Sequence, residues 1–335
     1  MARIGIVNNP LARRNRRRPE TPRLLRRLLG ADGALVDAAT EEAVAEALAG
    51  FRRAGVEVLA VNGGDGTLAQ VVTALPRDFG PPPWPMLLPL PGGSMNNVAR
   101  AHGHRGSPQR VLERVLASLR AGGPLPSVER DLLSVEADGG GPRLGFLFAT
   151  GAAVRFLDLW YEGERHGPAR AAWVLLRLLA SALSGGRLAR EIARREPLRV
   201  VADGDEWPAG EWLSVLAGAV PGLGLGSRPF SRCDEQPGFF HAVGVTASPL
   251  RLVLALPSLW RGRPWRRQVA VDAVARDLAV EPVEPLRYTL DGDLYQAGSS
   301  LRVRTGPLVE VVVDPTSAPP HRLPVAGLTA REGAR

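Results

Sequence analysis

The chain has 335 residues, 42 Lys+Arg against 34 Asp+Glu, 45% hydrophobic and 23% charged residues. That length suggests two domains with a sizeable core, and the composition excludes a disordered or fibrous chain. The single Cys233 rules out an intrachain disulfide or a cysteine-rich zinc site, and all 42 basic residues are Arg, which rules out a Walker A lysine, a kinase-type strand lysine and a Schiff base.

The opening MARIGIVNNP has no apolar run of the signal-peptide kind, and the most apolar helical stretch, 171–183, is short for a bilayer and contains Arg177. These features set the expectation of a cytoplasmic protein, without a transmembrane segment, able to touch a membrane surface. Residues 1–30 hold nine Arg and one Glu, so the whole charge excess of +8 sits in them.

In chain order, 3–9 reads as a buried strand that ends in turn-forming Asn8-Asn9-Pro10. Helical spacing follows over 21–29, a short strand over 34–36, and a helix over 41–53 with Thr40 as its cap and Gly55 as its stop. A strand at 56–61 runs into Asn62-Gly63-Gly64-Asp65-Gly66-Thr67, with a helix from 68 to 75. A strand at 86–90 leads to Pro91-Gly92-Gly93-Ser94-Met95-Asn96-Asn97 and a helix at 98–102, then an amphipathic helix at 108–120. Strand–helix alternation of this kind predicts an α/β domain, Rossmann-like, with a mostly parallel sheet over 1–124.

After Gly122-Gly123-Pro124 the pattern changes. Strand-like runs at 128–137, 143–151, 198–202, 212–220, 239–246, 268–272, 277–281, 286–291, 301–304 and 308–313 predict a β-rich sandwich domain over 125–314. Helical patches at 168–184 and 249–260 interrupt it, and a Pro-rich tail, loosely ordered, occupies 315–335.

Ligands of α/β sheets settle beyond the carboxyl ends of the strands. Gly63, Gly64 and Gly66 stand at such an end and can turn their amides toward one point, where a helix N-terminus adds its dipole. That suits a polyphosphate, and Asp65 beside it asks for a divalent cation or a transferable proton. A MgATP-like ligand meets both requirements; a solvated turn is the plainer alternative for this loop taken alone. The 92–97 loop repeats the logic with Gly93, Ser94, Asn96 and Asn97, although Asn and Ser are also ordinary helix caps. The Arg run at 13–18 reads as a solvated face or a phosphate clamp.

Asn9-Pro10, Gly63-Gly64-Asp65-Gly66-Thr67 and PGGSMNNVAR at 91–100 together resemble the catalytic domain of diacylglycerol kinases, a family that includes sphingosine kinases and bacterial lipid kinases. NAD kinases share the GGDGT loop more distantly. The resemblance implies ATP in an interdomain cleft, Mg²⁺, and a lipid hydroxyl as phosphoryl acceptor at a membrane surface. It implies nucleotide binding by Asn9, Gly63, Gly64, Asp65, Gly66, Thr67, Gly93, Ser94, Asn96 and Asn97. It further implies catalysis by Asp65 and Asp293, with Asp65 as a magnesium ligand.

The sequence departs from the family pattern at Leu11-Ala12 for Ser-Gly, Ser94 for Thr, Ala69-Gln70 for Asn-Glu, and Asp293 for Glu. An acidic Asp-Asp-Gly of the family becomes Asp234-Glu235-Gln236-Pro237-Gly238. Asp-Gly is itself a hairpin signal, and Asp203-Gly204-Asp205 repeats Asp291-Gly292-Asp293; only the resemblance selects 291–293. Trp260 and Trp265, set among arginines, are candidate membrane contacts. The alternatives are a soluble-metabolite kinase of the NAD kinase type and a nucleotide- or lipid-binding regulator. Nucleic-acid binding is disfavoured because the Arg run lacks interleaved aromatics.

Overall fold

The computed structural model describes residues 3–122, 124–162, 168–184, 186–224 and 226–317. Short runs of Ile, Val and Leu form β1 (Ile4–Asn8), β2 (Gly33–Asp37), β3 (Val58–Gly63) and β4 (Met86–Pro91). They lie parallel in the order β4-β3-β1-β2. β1, β3 and β4 are buried almost throughout, as a sheet covered on both faces requires. Between the strands run α1 (Arg13–Arg17), α2 (Thr21–Leu29), α3 (Glu41–Arg53), α4 (Asp65–Asp78), α5 (Asn97–Ala101) and α6 (Pro108–Arg120). Thr40 caps α3 by accepting from the Ala43 amide, and Ser107 caps α6 by accepting from Arg110.

Register decides what happens at the carboxyl edge. Asn8 of β1 stands beside Asn62 of β3, and Asn62 beside Leu90 of β4. The three strands therefore stop level, and the loops that follow them meet.

The second half contains β5 (Ser127–Ala137), β6 (Arg143–Gly145), β7 (Leu147–Thr150), α7 (Ala152–Tyr161), α8 (Pro168–Leu183) and α9 (Arg187–Ile192). There follow β8 (Glu196–Ala202), β9 (Asp205–Glu206), β10 (Glu211–Trp212), β11 (Ser214–Gly218), β12 (Phe240–Val245) and α10 (Pro249–Trp260). The chain continues as β13 (Ala270–Ala275), β14 (Asp277–Pro282), β15 (Leu286–Leu290), β16 (Asp293–Ala297) and β17 (Leu301–Val312). β13-β12-β11-β7-β15-β16 form an antiparallel sheet. It packs face to face on β5, β8, β14 and β17 around Phe148, Trp212, Phe240, Tyr288, Leu278 and Val303. An α/β first region followed by a β-rich second one is thus the observed architecture, as the sequence predicted.

The two regions share a sheet. β17 pairs with β5 along most of its length, with β14 at its start, and in parallel with β4 at Val311–Leu87. The two runs expected at 301–304 and 308–313 are one strand, shifted in register between Thr305 and Leu308. Three helices escape the sequence reading. α1 is short and almost wholly polar, α7 follows β7 across Gly151 (φ 64), and α9 has six residues.

Trp265 corrects an expectation: it is 9% exposed and its indole N–H donates to Pro229 O at 2.7 Å, so it belongs to the core and not to a membrane contact. Trp260 is 45% exposed. Among the described residues no helix is long and apolar enough to cross a membrane. Of the expected Pro-rich tail, 318–335 lie outside the described residues, while the Thr316 and Ser317 amides donate to Asp314.

Candidate active site

The level strand ends are locked by asparagines. Asn62 Nδ2 donates to Asn8 Oδ1 at 2.6 Å, and Asn15 Nδ2 donates to Asn9 O at 2.7 Å and to Asn62 O at 3.1 Å. All three side chains are buried, where an unmet amide would be costly, so the network fixes α1 against β1 and β3. Arg14 supplies a second tie, its guanidinium donating to Pro91 O and Gly106 O and its backbone N–H to Gly92 O. The Arg run is therefore partly structural. Asn8, Asn15 and Asn62 were missed from sequence because an Asn at a strand end is ordinary, and their partnership spans 47 to 54 positions.

Onto this base the two glycine loops close. A Cβ on Gly93 would overlap Gly64 Cα, so the loops touch backbone to backbone. A Cβ on Gly63 would lie 2.5 to 2.7 Å from the Thr67 side chain. Asn9 reaches across, its Nδ2 donating to Thr67 Oγ1 at 2.9 Å while its Oδ1 accepts from Leu11 N. Asn96 has φ 53 and closes the second loop on itself: its Oδ1 accepts from Gly93 N at 2.8 Å and its Nδ2 donates to Gly93 O. Ser94 is half-buried in that loop.

Asp65 binds the loops together. Its Oδ2 accepts from Asn97 N at 2.9 Å and its Oδ1 from Val98 N at 3.1 Å, so it caps α5. Burial pushes its carboxyl above the usual range, against the pull of those amides and of Arg100. Each oxygen thus holds one α5 amide and keeps a further lone pair with which a cation could be met.

The acidic turn of the second domain arrives opposite. Asp291 (φ 51) and Gly292 (φ 97) form the tight connection between β15 and β16, with Leu290 paired to Asp293. Asp291 is buried, and its carboxylate accepts from Phe146 N at 2.8 Å and Leu147 N at 3.0 Å. Burial, then the charge of Asp65, raises it well above the ordinary value. Asp293 faces the first loop: a Cβ on Gly66 would lie 2.6 Å from Asp293 Oδ1 and 2.8 Å from Oδ2. Burial raises Asp293 as well, opposed by Arg143, whose guanidinium lies 4.5 Å over the Tyr295 ring. Tyr161 at the end of α7 donates to Gly292 O at 3.0 Å, and burial followed by the charge of Asp293 pushes its hydroxyl up to about 12. The structure thus brings Asn9, the 63–67 loop, the 93–97 loop and Asp293 together.

The duplicate tripeptide behaves differently. Asp203 also anchors a neighbouring strand, accepting from Arg276 N and Asp277 N, but Asp205 is exposed on the short strand β9. Both first aspartates hold turns; only 293 meets a glycine loop. Among the described residues no three His, Cys, Asp or Glu side chains stand close enough to cage a metal. Asp293, with no ion pair or hydrogen bond among the described contacts, fits a Mg²⁺ held chiefly by phosphate oxygens, which needs only one or two carboxylates.

A sequence model described as diacylglycerol kinase catalytic domain matches residues 3–122. No curated protein matches the chain. Among solved structures, a candidate diacylglycerol kinase from Bacillus anthracis str. Sterne has a TM-score of 0.66 at 15% identity, covering 94% of this chain and 97% of that one. A second structure of a candidate diacylglycerol kinase from the same source has a TM-score of 0.64 at 15% identity, and one of a diacylglycerol kinase has 0.60 at 13%, both with the same coverages. The likeness extends the shared fold over both domains, while the match to the diacylglycerol kinase catalytic domain is confined to residues 3–122.

Proposed function

We propose that the protein is a lipid kinase that transfers the γ-phosphoryl group of ATP to a hydroxyl of diacylglycerol or a related lipid. One observation carries the reading: a carboxylate lent by the second domain, Asp293, lies against Gly66 of the glycine loop at the end of β3. An anion cradle ringed by Asp65, Asp291 and Asp293 suits a ligand that brings its own cation, as a magnesium nucleotide does.

In this reading the 63–67 amides and the N-terminus of α4 hold phosphate oxygens, and Thr67, Asn9 and the 93–97 loop shape the nucleotide side. Mg²⁺, when bound, would neutralise charge on the phosphates, and Asp65 and Asp293 would be the carboxylates to hold it. Asp65 is a positioning residue that sets the second loop against the first. Asp293 accepts the proton of the lipid hydroxyl as the new O–P bond forms and the bond from phosphorus to the β-phosphate bridging oxygen breaks, releasing ADP. Its raised pKa makes it a better base than an ordinary aspartate. The alternatives named from sequence, a soluble-metabolite kinase and a binding regulator, have no observation that favours them. Incubating the protein with Mg²⁺ and γ-labelled ATP over a panel of hydroxylated lipids tests the proposal: label should move to a lipid, and its retention in ATP and free phosphate across the panel would refute it.

A further inference from the structure

Helices on the outside of a folded domain normally turn polar residues to water. α8 does the opposite. Its exposed positions, 169, 172, 173, 176, 177 and 180, follow a helical stripe and read Ala, Ala, Trp, Leu, Arg, Ala. Trp173 is 46% and Leu176 62% exposed. α10, which packs against α8, exposes Leu250, Leu254 and Trp260, with Leu254 at 71%. Of the twelve large apolar side chains exposed among the described residues, five belong to these two helices. Clustering of that kind marks a binding surface, not ordinary surface scatter.

Within the two helices and the segment that follows α10 the charge has one sign, the nearest described acids being Asp158 and Glu162 at α7 and Glu191 of α9, which pairs with Arg187. Neither α8 nor α10 contains Asp or Glu; α8 contributes Arg170 and Arg177, α10 contributes Arg251, and the segment 261–267 adds four arginines. Arg170 and Arg177 lie 4.8 and 4.7 Å from the Trp173 ring centroid, so the indole is held outward within a cationic collar. Indole and leucine ringed by arginine match the acyl–headgroup boundary of an anionic bilayer. A second copy of the chain docked by a two-fold axis would set these arginines against one another, which disfavours self-association.

We infer that α8 and α10 form the face that docks on anionic membrane surfaces, with Trp173, Leu176, Leu254 and Trp260 entering the interface. α8 also packs on α7, whose terminal Tyr161 holds Gly292 O beside Asp293. Docking by this face therefore orients the Asp293 turn relative to the bilayer, a link that rests on the lipid-kinase reading; the docking itself does not.

The test is co-sedimentation with phosphatidylcholine vesicles, with and without phosphatidylglycerol. Wild type should bind the anionic vesicles at least about tenfold better than the neutral ones, and binding should weaken as NaCl rises. A variant combining Trp173→Ser, Leu176→Ser, Leu254→Ser and Trp260→Ser should lose that binding by a similar factor with its thermal transition unchanged, since all four side chains are exposed. A second variant, Arg170→Gln with Arg177→Gln, keeps the stripe and should lower the preference for anionic vesicles. Wild-type sedimentation of both variants, indifference of the wild type to phosphatidylglycerol, or a wild-type dimer that the four-fold variant splits would overturn the assignment, the last in favour of a second copy. Phosphorylation of a short-chain, water-dispersed diacylglycerol should be unaltered in the four-fold variant and fall only for a vesicle-embedded acceptor. If no lipid is phosphorylated in either form, the kinase reading fails while sedimentation still decides the surface.

Discussion

At the scale of single residues, two glycines explain why the site needs absent side chains. Gly66→Ala would drive a methyl to 2.6 Å from Asp293 Oδ1, displacing a carboxylate end that can swing away. We predict a loss of lipid phosphorylation of about 100-fold with a melting temperature close to wild type. Gly93→Ala meets Gly64 backbone instead, which cannot yield cheaply. That variant should be less stable by roughly 1–3 kcal/mol in denaturant titration. Glycines of this kind are legible in sequence because nothing else fits such an approach. The buried trio Asn8, Asn15 and Asn62 is not legible, since each is an unremarkable polar residue until the register of β1 and β3 sets them side by side.

Asp293 gives a pH prediction at the same scale. Its folded pKa lies above the ordinary value because burial penalises the charge. The folded state thus holds a proton more tightly than the unfolded chain, and this contribution favours folding below the ordinary pKa and is lost as pH rises through the raised one. Asp293→Asn should therefore raise the melting temperature at neutral pH, and the gain should shrink as pH falls through the carboxylate range. A gain that grew on acidification would contradict the assigned cause.

At the scale of elements, the β15–β16 hairpin is the decisive piece. Its Asp-Gly turn was legible from sequence, as was the identical one at 203–205, because both demand positive φ at two successive residues. The turn pattern alone could not say which third aspartate meets a glycine loop, since that depends on where the hairpin lands. Asp291 holds the Phe146 and Leu147 amides and so anchors the turn that carries Asp293. Asp291→Ala should cost about 1–3 kcal/mol of stability through those orphaned amides, and activity should fall with it. Helix α7 escaped notice for a related reason: Gly151 looks like a strand stop, and the helix gains its meaning from Tyr161 meeting Gly292. Trp265 shows the converse error, in which composition beside arginines suggested a surface and an indole bond to Pro229 O made it core.

At the scale of the molecule, the division into an α/β half and a β-rich half was legible from periodicity, but the continuity of the sheet was not. β17 lies far from β4 in sequence, and only the fold shows it finishing that edge, with Val312 in the core of the first half and Val309 and Val311 in a cluster that both halves build. Asp314 then pairs with Arg114 on α6. The candidate site inherits this dependence because Asp293, the proposed base, and the glycine loop it meets come from opposite halves. The central claim is that those halves jointly phosphorylate a lipid hydroxyl. Its most direct test compares wild type with Asp293→Asn, following label from ATP into lipid together with nucleotide affinity. The account predicts at least about 100-fold slower transfer in the variant with nucleotide binding largely kept; transfer at the wild-type rate would contradict it.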